Sequence, residues 1–350
     1  MTLDYLIVGQ GLAGTALAAE LLMRDRKFMV IDRFRMNSSS LVATGLINPV
    51  IARNLNMYWN ADYFLPYAEK SFRQMEKRLG ESFYTPLEML RIFRSDEERG
   101  KLEERLEAHP NPYVGSFRTE VPAGIAAPRG AAPIRGVAYL ETKTLLPAMR
   151  QYLRNAGILL EEPFDYGKLL CEGPLLQYGL WQAERIVFAE GPGVIENPWF
   201  PDLPFAFTKG ELLTLEIEGG PQHTVISKGH NLVPAGDKRY KFGASYAWDY
   251  SDARPTPEAR ALLEERLREL LQLPYKIIGQ EAGIRPTVRD RKPLLGSAGS
   301  DPRIALLNGL GSHGAIMAPA LARDLIDYLE NDKPLMKEVR VERKIKAHNG

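Results

Sequence analysis

The sequence predicts an α/β protein, α+β overall, in which a domain built on a parallel sheet is interleaved with a domain built on an antiparallel sheet. Two observations predict this arrangement. Residues 3–31 read as strand, glycine-rich turn, helix and strand, which is how a parallel-sheet domain begins. Residues 210–245 read as short segments of alternating polarity separated by Gly and Pro, which is typical of an antiparallel sheet with one solvated face.

Length and composition indicate how many domains the protein has and which partners and metal sites to expect. A chain of 350 residues suggests two domains. The 45 Lys and Arg residues nearly balance 44 Asp and Glu residues, which argues against a nucleic-acid partner. Cys171 is the only cysteine, so no disulfide framework forms, and we expect a buried side chain and a cytoplasmic protein. We expect no metal site, because no zinc-ligand spacing is present.

The first apolar segment contains a glycine fingerprint. Gly9, Gly11 and Gly14 follow the predicted strand at 3–8 and precede helix-forming residues, so the segment is not a membrane span. In a dinucleotide fingerprint the first glycine permits a tight turn, the second lets the backbone approach a pyrophosphate, and the third lets helix and strand pack closely. We expect Leu12 and Ala13, at the helix N-terminus, to contribute N–H groups to the phosphates.

An acidic residue follows the second predicted strand, residues 28–31. Asp32 lies eighteen residues past Gly14, where a carboxylate accepts hydrogen bonds from a ribose. With its neighbour Arg33 it completes the predicted adenosine site. The acid favours FAD or NAD over NADP, and the fingerprint alone does not choose between the first two.

The remaining elements follow from periodicity and from helix start and stop signals. We expect loops over residues 109–135, which are rich in Pro, Gly and Ala. The predicted helices are 61–79 closed by Gly80, 96–108, 142–155 stopped by Gly157, and 257–271 with Thr256 as N-cap; strands are predicted at 88–94 and 185–189.

After Asp32 comes "RFRMNSSSLVATGLINP", a serine-rich loop followed by small residues. Here the sequence resembles the D-amino-acid oxidase family of FAD-dependent amine oxidoreductases, whose members carry such a loop beside the flavin ring. The resemblance implies that Ser39, Ser40, Thr44 and Gly45 bind FAD. "FAEGPGV" resembles the family's final nucleotide-contacting turn, with Ala189 and Gly191 as contacts, although Glu190 interrupts the usual Ala-Gly pair.

"NGLGSHGAIMAPALARDLIDYL" resembles the family's second flavin-binding segment, where backbone N–H groups and a helix dipole face the pyrimidine end of the flavin. The implied contacts are Gly309, Gly311, Ser312, His313, Gly314, Ala315 and Ile316. Relatives that tether FAD use a cysteine near "KPLLG", and Cys171 is far from that segment, so FAD is expected to be non-covalent.

The resemblance implies a Rossmann-like FAD-binding domain interleaved with a substrate domain whose antiparallel sheet covers the flavin. We predict that residues 1–60, 136–203 and 276–335 form the FAD-binding domain and that residues 61–135 and 204–275 form the substrate domain. Residues 336–350 are predicted to be a basic, solvated C-terminal tail.

Three residues are predicted to carry chemistry. "GIRPTVRDRKPLLGS" resembles the family's glycine-x-Arg-Pro signature, which implies that Arg285 binds the substrate carboxylate; a structural ion pair is the alternative. "YKFGAS" resembles a strand on which sarcosine-oxidising relatives carry a lysine that promotes electron transfer to oxygen, so Lys241 has that role or faces solvent. His313 lies over the flavin ring or is a structural histidine.

The resemblance also bears on the substrate. Asn231 stands where glycine-oxidising relatives often carry a carboxylate-binding Tyr, which puts glycine itself in doubt. Tyr246, Trp248 and Tyr250 are candidates for the missing wall, although alternating aromatic residues also occur as ordinary sheet packing.

The predicted protein is an FAD-dependent enzyme that oxidises a C–N bond of a small amine or amino acid by hydride transfer, after which the imine hydrolyses. Oxygen or another electron acceptor reoxidises the flavin. Two alternatives stay open. "RPTVRDRKPLLG" and "GLGSHGAIMAP" resemble the oxidase domain of bifunctional enzymes that trim a carboxymethylaminomethyl group on the wobble uridine of tRNA. The other alternative is a non-catalytic or subunit-type FAD-binding flavoprotein.

Overall fold

Residues 2–345 are described by the computed structural model of the chain. In chain order the helices are α1 (Leu12–Met23), α2 (Ser39–Val42), α3 (Ala61–Leu79), α4 (Asp96–Ala108), α5 (Thr142–Asn155), α6 (Pro257–Arg268) and α7 (Gly314–Asn331). The strands are β1 (Thr2–Val8), β2 (Phe28–Ile31), β3 (Leu46–Ile47), β4 (Val50–Ile51), β5 (Asn56–Met57), β6 (Tyr84–Ile92), β7 (Ala131–Leu140), β8 (Leu159–Leu160), β9 (Leu169–Leu170), β10 (Leu176–Tyr178), β11 (Trp181–Phe188), β12 (Thr208–Ile217), β13 (Thr224–Ser227), β14 (Asn231–Pro234), β15 (Arg239–Gly243), β16 (Tyr275–Arg285), β17 (Leu294–Ala298) and β18 (Asp301–Asn308).

The first sheet has the order β17-β18-β11-β1-β2-β8, and the five strands from β18 to β8 are parallel. β2 is apolar at every position because both faces of the sheet are covered. Helices α1, α3, α5 and α7 contribute to the hydrophobic core on one face of the sheet. This architecture confirms the predicted Rossmann-like domain. Within residues 2–345, no helix combines the length and apolarity that a membrane crossing requires.

The second sheet has the order β16-β12-β15-β14-β13-β6-β7-β3 and is antiparallel except between β13 and β6. One face packs on α6, where Leu263 and Leu267 join Leu213 and Phe242 in a buried cluster. The alternate positions of β12 point the other way, toward the cavity described below. The predicted antiparallel domain is therefore confirmed as a mixed, mostly antiparallel sheet.

Capping residues in the sequence predicted the bounds of several helices to within a few residues. Helix α3 has the predicted bounds and ends where Gly80 adopts a left-handed φ of 72°. Thr256 caps α6 by accepting a hydrogen bond from the Ala259 backbone N–H at 3.3 Å, but α6 ends at Arg268 rather than at residue 271. The predicted loop region of residues 109–135 ends earlier than expected, because β7 begins at Ala131.

Two predicted domain boundaries fall beside or inside strands of the second sheet. The boundary between residues 135 and 136 divides β7, which pairs with β6. The predicted boundary between residues 275 and 276 lies inside β16, which pairs along its length with β12. Because a strand belongs with its hydrogen-bonded neighbours, we propose that the second domain includes all of β7 and β16.

Residues 336–345 are not the free solvated tail that was predicted, because several contacts fix this segment to the first domain, although most of its side chains are exposed or half-exposed. Val339 is fully buried in the core of the first domain, and the Val341 N–H donates to the Leu295 carbonyl at 2.7 Å. The Arg343 guanidinium pairs with the Asp290 carboxylate at 2.9 Å. The prediction used the basic composition of this segment, which does not show these contacts. Residues 346–350 of the predicted tail lie outside the described residues.

Candidate active site

Four turns converge at one edge of the first sheet. Gly9 follows β1, Asp32 follows β2, Ala189 follows β11 and Gly309 follows β18. These strands are parallel, so their carboxyl ends lie on the same side, which is where open α/β sheets bind ligands. A cavity of about 1260 Å³ opens at this edge and is also lined by Thr208, Gly210 and Leu212 of the second sheet.

The cavity brings together most of the residues predicted from the sequence. Its lining includes Gly9, Gly11, Leu12, Ala13, Asp32, Arg33, Ser39, Ser40, Thr44, Gly45, Ala189, Gly191, Arg285, Gly309, Gly311, Ser312, His313, Gly314 and Ala315. Gly14, Ile316 and Lys241 do not line it. The direct contacts that were predicted for these three residues therefore have no support in the lining of the cavity.

The first glycine turn is shaped by close backbone approach. Gly9 has a φ of 99°, and a Cβ atom there would lie 2.5 Å from the Ala189 carbonyl oxygen. A Cβ atom on Gly14 would lie 1.8 Å from the Gly9 carbonyl oxygen, so only glycine lets α1 begin at this distance from β1. The Leu12 N–H donates to the Ser40 Oγ at 3.0 Å, which joins the serine loop to the N-terminus of α1. Ser40 therefore takes the Leu12 N–H that was predicted for the phosphates, and the Ala13 N–H and the Gly11 backbone are the parts of this turn that fit a pyrophosphate.

The second turn places the N-terminus of α7 at the cavity. His313 precedes this helix, and its ring stacks on Tyr58 with centroids 4.2 Å apart. The His313 Nδ1 lies 3.1 Å from the Ser312 Oγ. Burial, aided by the nearby charge of Arg291, lowers the pKa of His313 to about 4. His313 is therefore a neutral group with a polar edge at neutral pH.

This shifted pKa predicts a pH effect on stability. Between about pH 6.5 and pH 4 the unfolded chain binds a proton at His313 that the folded chain does not bind, so stability falls as the pH drops through this window. In His313→Asn, the loss of unfolding free energy between pH 7 and pH 4 should be smaller than in the wild type by about 1–3 kcal/mol. Urea unfolding of the FAD-loaded proteins measures this difference. His109→Asn, at an exposed position, is the control, and equal losses in all three proteins would contradict the prediction.

Asp32 lies where the sequence predicts but already has partners. Its Oδ1 accepts a hydrogen bond from the Gln10 N–H at 3.0 Å, and its Oδ2 accepts one from Arg150 at 2.8 Å. Arg150 is buried and also bonds Glu161 at 3.0 Å. Asp32 therefore offers its remaining lone pairs to a ribose from a fixed position. Sequence reasoning missed Arg150, because an arginine beside the apolar face of a predicted helix usually keeps its charge in solvent.

Glu190, which interrupts the expected Ala-Gly pair, is held by neighbours at the cavity. Its carboxylate accepts hydrogen bonds from the Tyr166 hydroxyl at 2.5 Å and from the Asn197 side-chain amide at 2.9 Å. Burial raises its pKa above the ordinary value for Glu. The predicted contacts Ala189 and Gly191 still line the cavity on either side of it.

Arg285 is a mostly enclosed cation on the second sheet's side of the cavity. Both terminal nitrogens donate to the Ser245 carbonyl at 3.3 Å, and the guanidinium lies over the Tyr246 ring at 4.4 Å. A Cβ atom on Gly210 would lie 1.8 Å from Arg285 Nη2, so this glycine makes room for the guanidinium. Within residues 2–345, no carboxylate comes within 4 Å of it. Burial lowers the Arg285 pKa, which is the effect of an enclosed charge without a counterion.

Lys241 is buried, which excludes the solvent-facing alternative. Its side chain is 5% exposed, and its Nζ donates to the Ala43 carbonyl at 3.2 Å and lies 3.8 Å from Glu141 Oε1. Burial lowers its pKa. Residues 43–45, which line the cavity, thus lie between the cavity and the ammonium group. The expected direct role at a flavin needs correction, because Lys241 reaches the cavity only through this backbone.

An aromatic loop borders the cavity next to Arg285. Tyr246 and Trp248 line the cavity yet are 63% and 64% exposed, so they form part of its rim. Asn231 also lines the cavity, whereas Tyr250 does not. Of the three aromatic residues predicted as a wall, two therefore lie where a substrate is able to contact them.

Comparison with known proteins agrees with this geometry. The sequence profile of the family described as FAD dependent oxidoreductase matches residues 4–328. Glycine oxidase of Pseudomonas aeruginosa is 22% identical over 366 residues, covering 96% of this chain and 97% of that protein. The tRNA 5-methylaminomethyl-2-thiouridine biosynthesis bifunctional protein of Marinobacter nauticus is 24% identical over 97% of this chain, which spans 57% of that protein. The crystal structure of glycine oxidase from Geobacillus kaustophilus superposes with a TM-score of 0.81 at 18% identity, covering 99% of this chain and all of that one.

Proposed function

Because this chain belongs to the family of FAD-dependent oxidoreductases, we propose that it oxidises the C–N bond of a small amine that carries a carboxylate. It is an amine or amino-acid oxidoreductase with FAD as cofactor. The proposal concerns the identity of the substrate and the residues that bind it. The observation that carries it is Arg285, an enclosed guanidinium with no carboxylate partner among the described residues.

The residues of the cavity fit FAD. Gly9, Gly11 and the N-terminus of α1 would hold the pyrophosphate, with Asp32 at the adenosine ribose. The turn at 309–314 would hold the flavin, where the dipole of α7 stabilises negative charge. When bound, FAD supplies the hydride acceptor, and no protein base is needed if the amine is neutral.

The chain's own contribution is placement. The Ser245 carbonyl takes one N–H from each terminal nitrogen of Arg285, so a carboxylate would bind two of the remaining N–H groups, such as Nε–H and the outer N–H of a terminal nitrogen. The guanidinium stays charged at every relevant pH, so one side chain supplies both affinity and orientation. Tyr246 covers the guanidinium and reduces its access to water. Holding the carboxylate fixes the adjacent C–N bond relative to the flavin, and such positioning accounts for a large part of rate acceleration. The oxidised product, an imine, then hydrolyses in water.

A second candidate substrate is the same carboxylate-bearing amine attached to tRNA. Arg33, Arg35 and Arg291 are exposed and line the cavity, where they are able to contact phosphates. The Marinobacter nauticus relative is a tRNA 5-methylaminomethyl-2-thiouridine biosynthesis protein. The overall balance of charge favours the free small molecule.

Anaerobic reduction of the purified FAD-loaded protein tests the proposal. We expect loss of the visible flavin absorbance with one or more small amino acids or N-methyl amino acids, and no loss with the matching amines that lack a carboxylate. Bleaching only by carboxymethylaminomethyl-modified tRNA would favour the second candidate. Bleaching by none of them would favour a non-catalytic flavoprotein. Admitting oxygen afterwards shows whether oxygen or another acceptor reoxidises the flavin.

A further inference from the structure

A loop at residues 245–256 joins the second sheet to α6 and closes one side of the cavity around Arg285. At its start, the Ser245 carbonyl oxygen accepts hydrogen bonds from both terminal nitrogens of Arg285 at 3.3 Å. The next residue, Tyr246, covers the guanidinium, and Trp248 lies on the rim. The position of this loop therefore determines how the Arg285 fork is presented.

Both ends of the loop are attached to Glu211, on β12. At the first end, the Ser245 N–H donates to the Glu211 carbonyl at 2.9 Å, and the Glu211 N–H donates to the Ser245 Oγ at 3.0 Å. At the far end, the Thr256 N–H and Oγ–H donate to the two oxygens of the Glu211 carboxylate at 2.8 and 2.9 Å. One buried residue thus closes the loop at its base.

Glu211 is 3% exposed, and both oxygens of its carboxylate have hydrogen-bonding or charged partners. Lys209 Nζ, equally buried, lies 3.4 Å from Oε1. The Gln280 side-chain amide donates to Oε2 at 2.8 Å. Lys209 also exchanges two backbone hydrogen bonds of 2.9 Å with Ala247, which extends the attachment into the loop. Burying two charges is unfavourable unless each is paired and hydrogen-bonded. Here the partners of Glu211 and Lys209 belong to the loop or to the strands beside it.

We propose that Glu211 is a positioning residue for substrate binding: by holding both ends of the loop at residues 245–256, it fixes the Ser245 carbonyl and the Tyr246 ring around Arg285. The inference rests on the proposed function in one respect, that Arg285 binds a carboxylate. Loops with few buried apolar contacts open locally at low cost in free energy. Without the Glu211 carboxylate the far end of the loop is released more often, while the backbone bonds between residue 211 and Ser245 remain. The Tyr246 ring then holds the Arg285 guanidinium less firmly in one orientation.

Two variants test this role. Lys209→Met with Glu211→Met removes both buried charges together, so the fold is expected to survive. Thr256→Val removes a single hydroxyl from the far end. In each FAD-loaded variant we expect the dissociation constant for acetate, an unreactive carboxylate, to rise about tenfold. The KM of a bleaching amino acid should rise similarly, kcat should change less than about twofold, and FAD affinity should stay at the wild-type value.

Limited chymotrypsin digestion measures the loop without reference to turnover. Tyr246, Trp248 and Tyr250 are cleavage sites, and we expect cleavage within the loop to be about tenfold faster in both variants than in the wild type. Because Thr256 also caps α6, the control is Ser95→Ala, which removes the equivalent cap from α4. This control is expected to leave acetate binding and loop cleavage unchanged.

The outcomes separate the two proposals. Wild-type acetate affinity and cleavage rate in both loop variants would overturn the role of Glu211, as would loss of FAD together with a collapse of kcat. If the wild type binds no carboxylate at all, the proposed function fails. Chymotrypsin cleavage then still supports or overturns the attachment of the loop by Glu211.

Discussion

Replacing Arg285 with Met is expected to lower kcat/KM for a carboxylate-bearing amine by about a thousandfold, or about 4 kcal/mol, while the protein keeps its FAD. The reason is that, among the described residues that line the cavity, Arg285 is the guanidinium on the side of the second sheet. Arg285→Lys should recover only part of the loss, since an ammonium group cannot form the planar fork. Steady-state kinetics and the visible absorbance of bound flavin measure the two effects separately.

The same substitution is expected to stabilise the protein. A mostly enclosed guanidinium without a carboxylate partner among residues 2–345 is unfavourable, so Arg285→Met should raise the free energy of unfolding by about 1–3 kcal/mol. Arg289→Met, at an exposed position of the same segment, is the control and should change neither activity nor stability appreciably. A destabilised Arg285→Met that retains wild-type kcat/KM would show that Arg285 has only a structural role.

Gly14→Ala is expected to abolish FAD binding and to lower the free energy of unfolding by about 3 kcal/mol or more. The added methyl group would overlap the Gly9 carbonyl. Because the overlapped atoms belong to the backbone, a side-chain rotation cannot relieve the overlap. The displacement of α1 would carry the Ala13 N–H away from the pyrophosphate site and would break the bond between the Leu12 N–H and Ser40. FAD content after purification and urea unfolding measure the two consequences.

Gly100→Ala is the matched control, because Gly100 also lies inside a helix but has no atom within 4 Å of its added Cβ. This variant should keep FAD and gain about 0.5–1 kcal/mol of stability from helix propensity. A Gly14→Ala protein that purifies with a full complement of FAD would contradict the assignment of the first turn.

The elements that the sequence predicted are those governed by local rules. Helix α3 has its predicted bounds because an amphipathic period and a C-terminal glycine both act within a few residues. The turn at residues 9–14 was recognisable because a strand, glycines and a helix occur in one short segment. The family resemblance then supplied the second turn at 309–314 and Arg285, which no local rule identifies.

Contacts between distant segments could not be predicted in this way. Arg150 and Asp32 are 118 residues apart, and nothing near either residue indicates its partner. Glu211 and Thr256 are 45 residues apart, so the attachment of the aromatic loop became visible only in the fold. The buried position of Val339 depends likewise on a surface assembled from other parts of the chain. Burial and pairing of charges are tertiary properties, and alternation of residue types does not encode them.

The central claim is that the two glycine turns bind one FAD while Arg285 holds the substrate carboxylate across from the flavin. A crystal structure of the FAD-loaded protein with acetate bound tests it most directly. We predict that the pyrophosphate lies against residues 9–14, the flavin against residues 309–314, and the acetate on the guanidinium of Arg285. A dinucleotide that leaves either turn uncontacted, or acetate bound away from Arg285, would contradict the account.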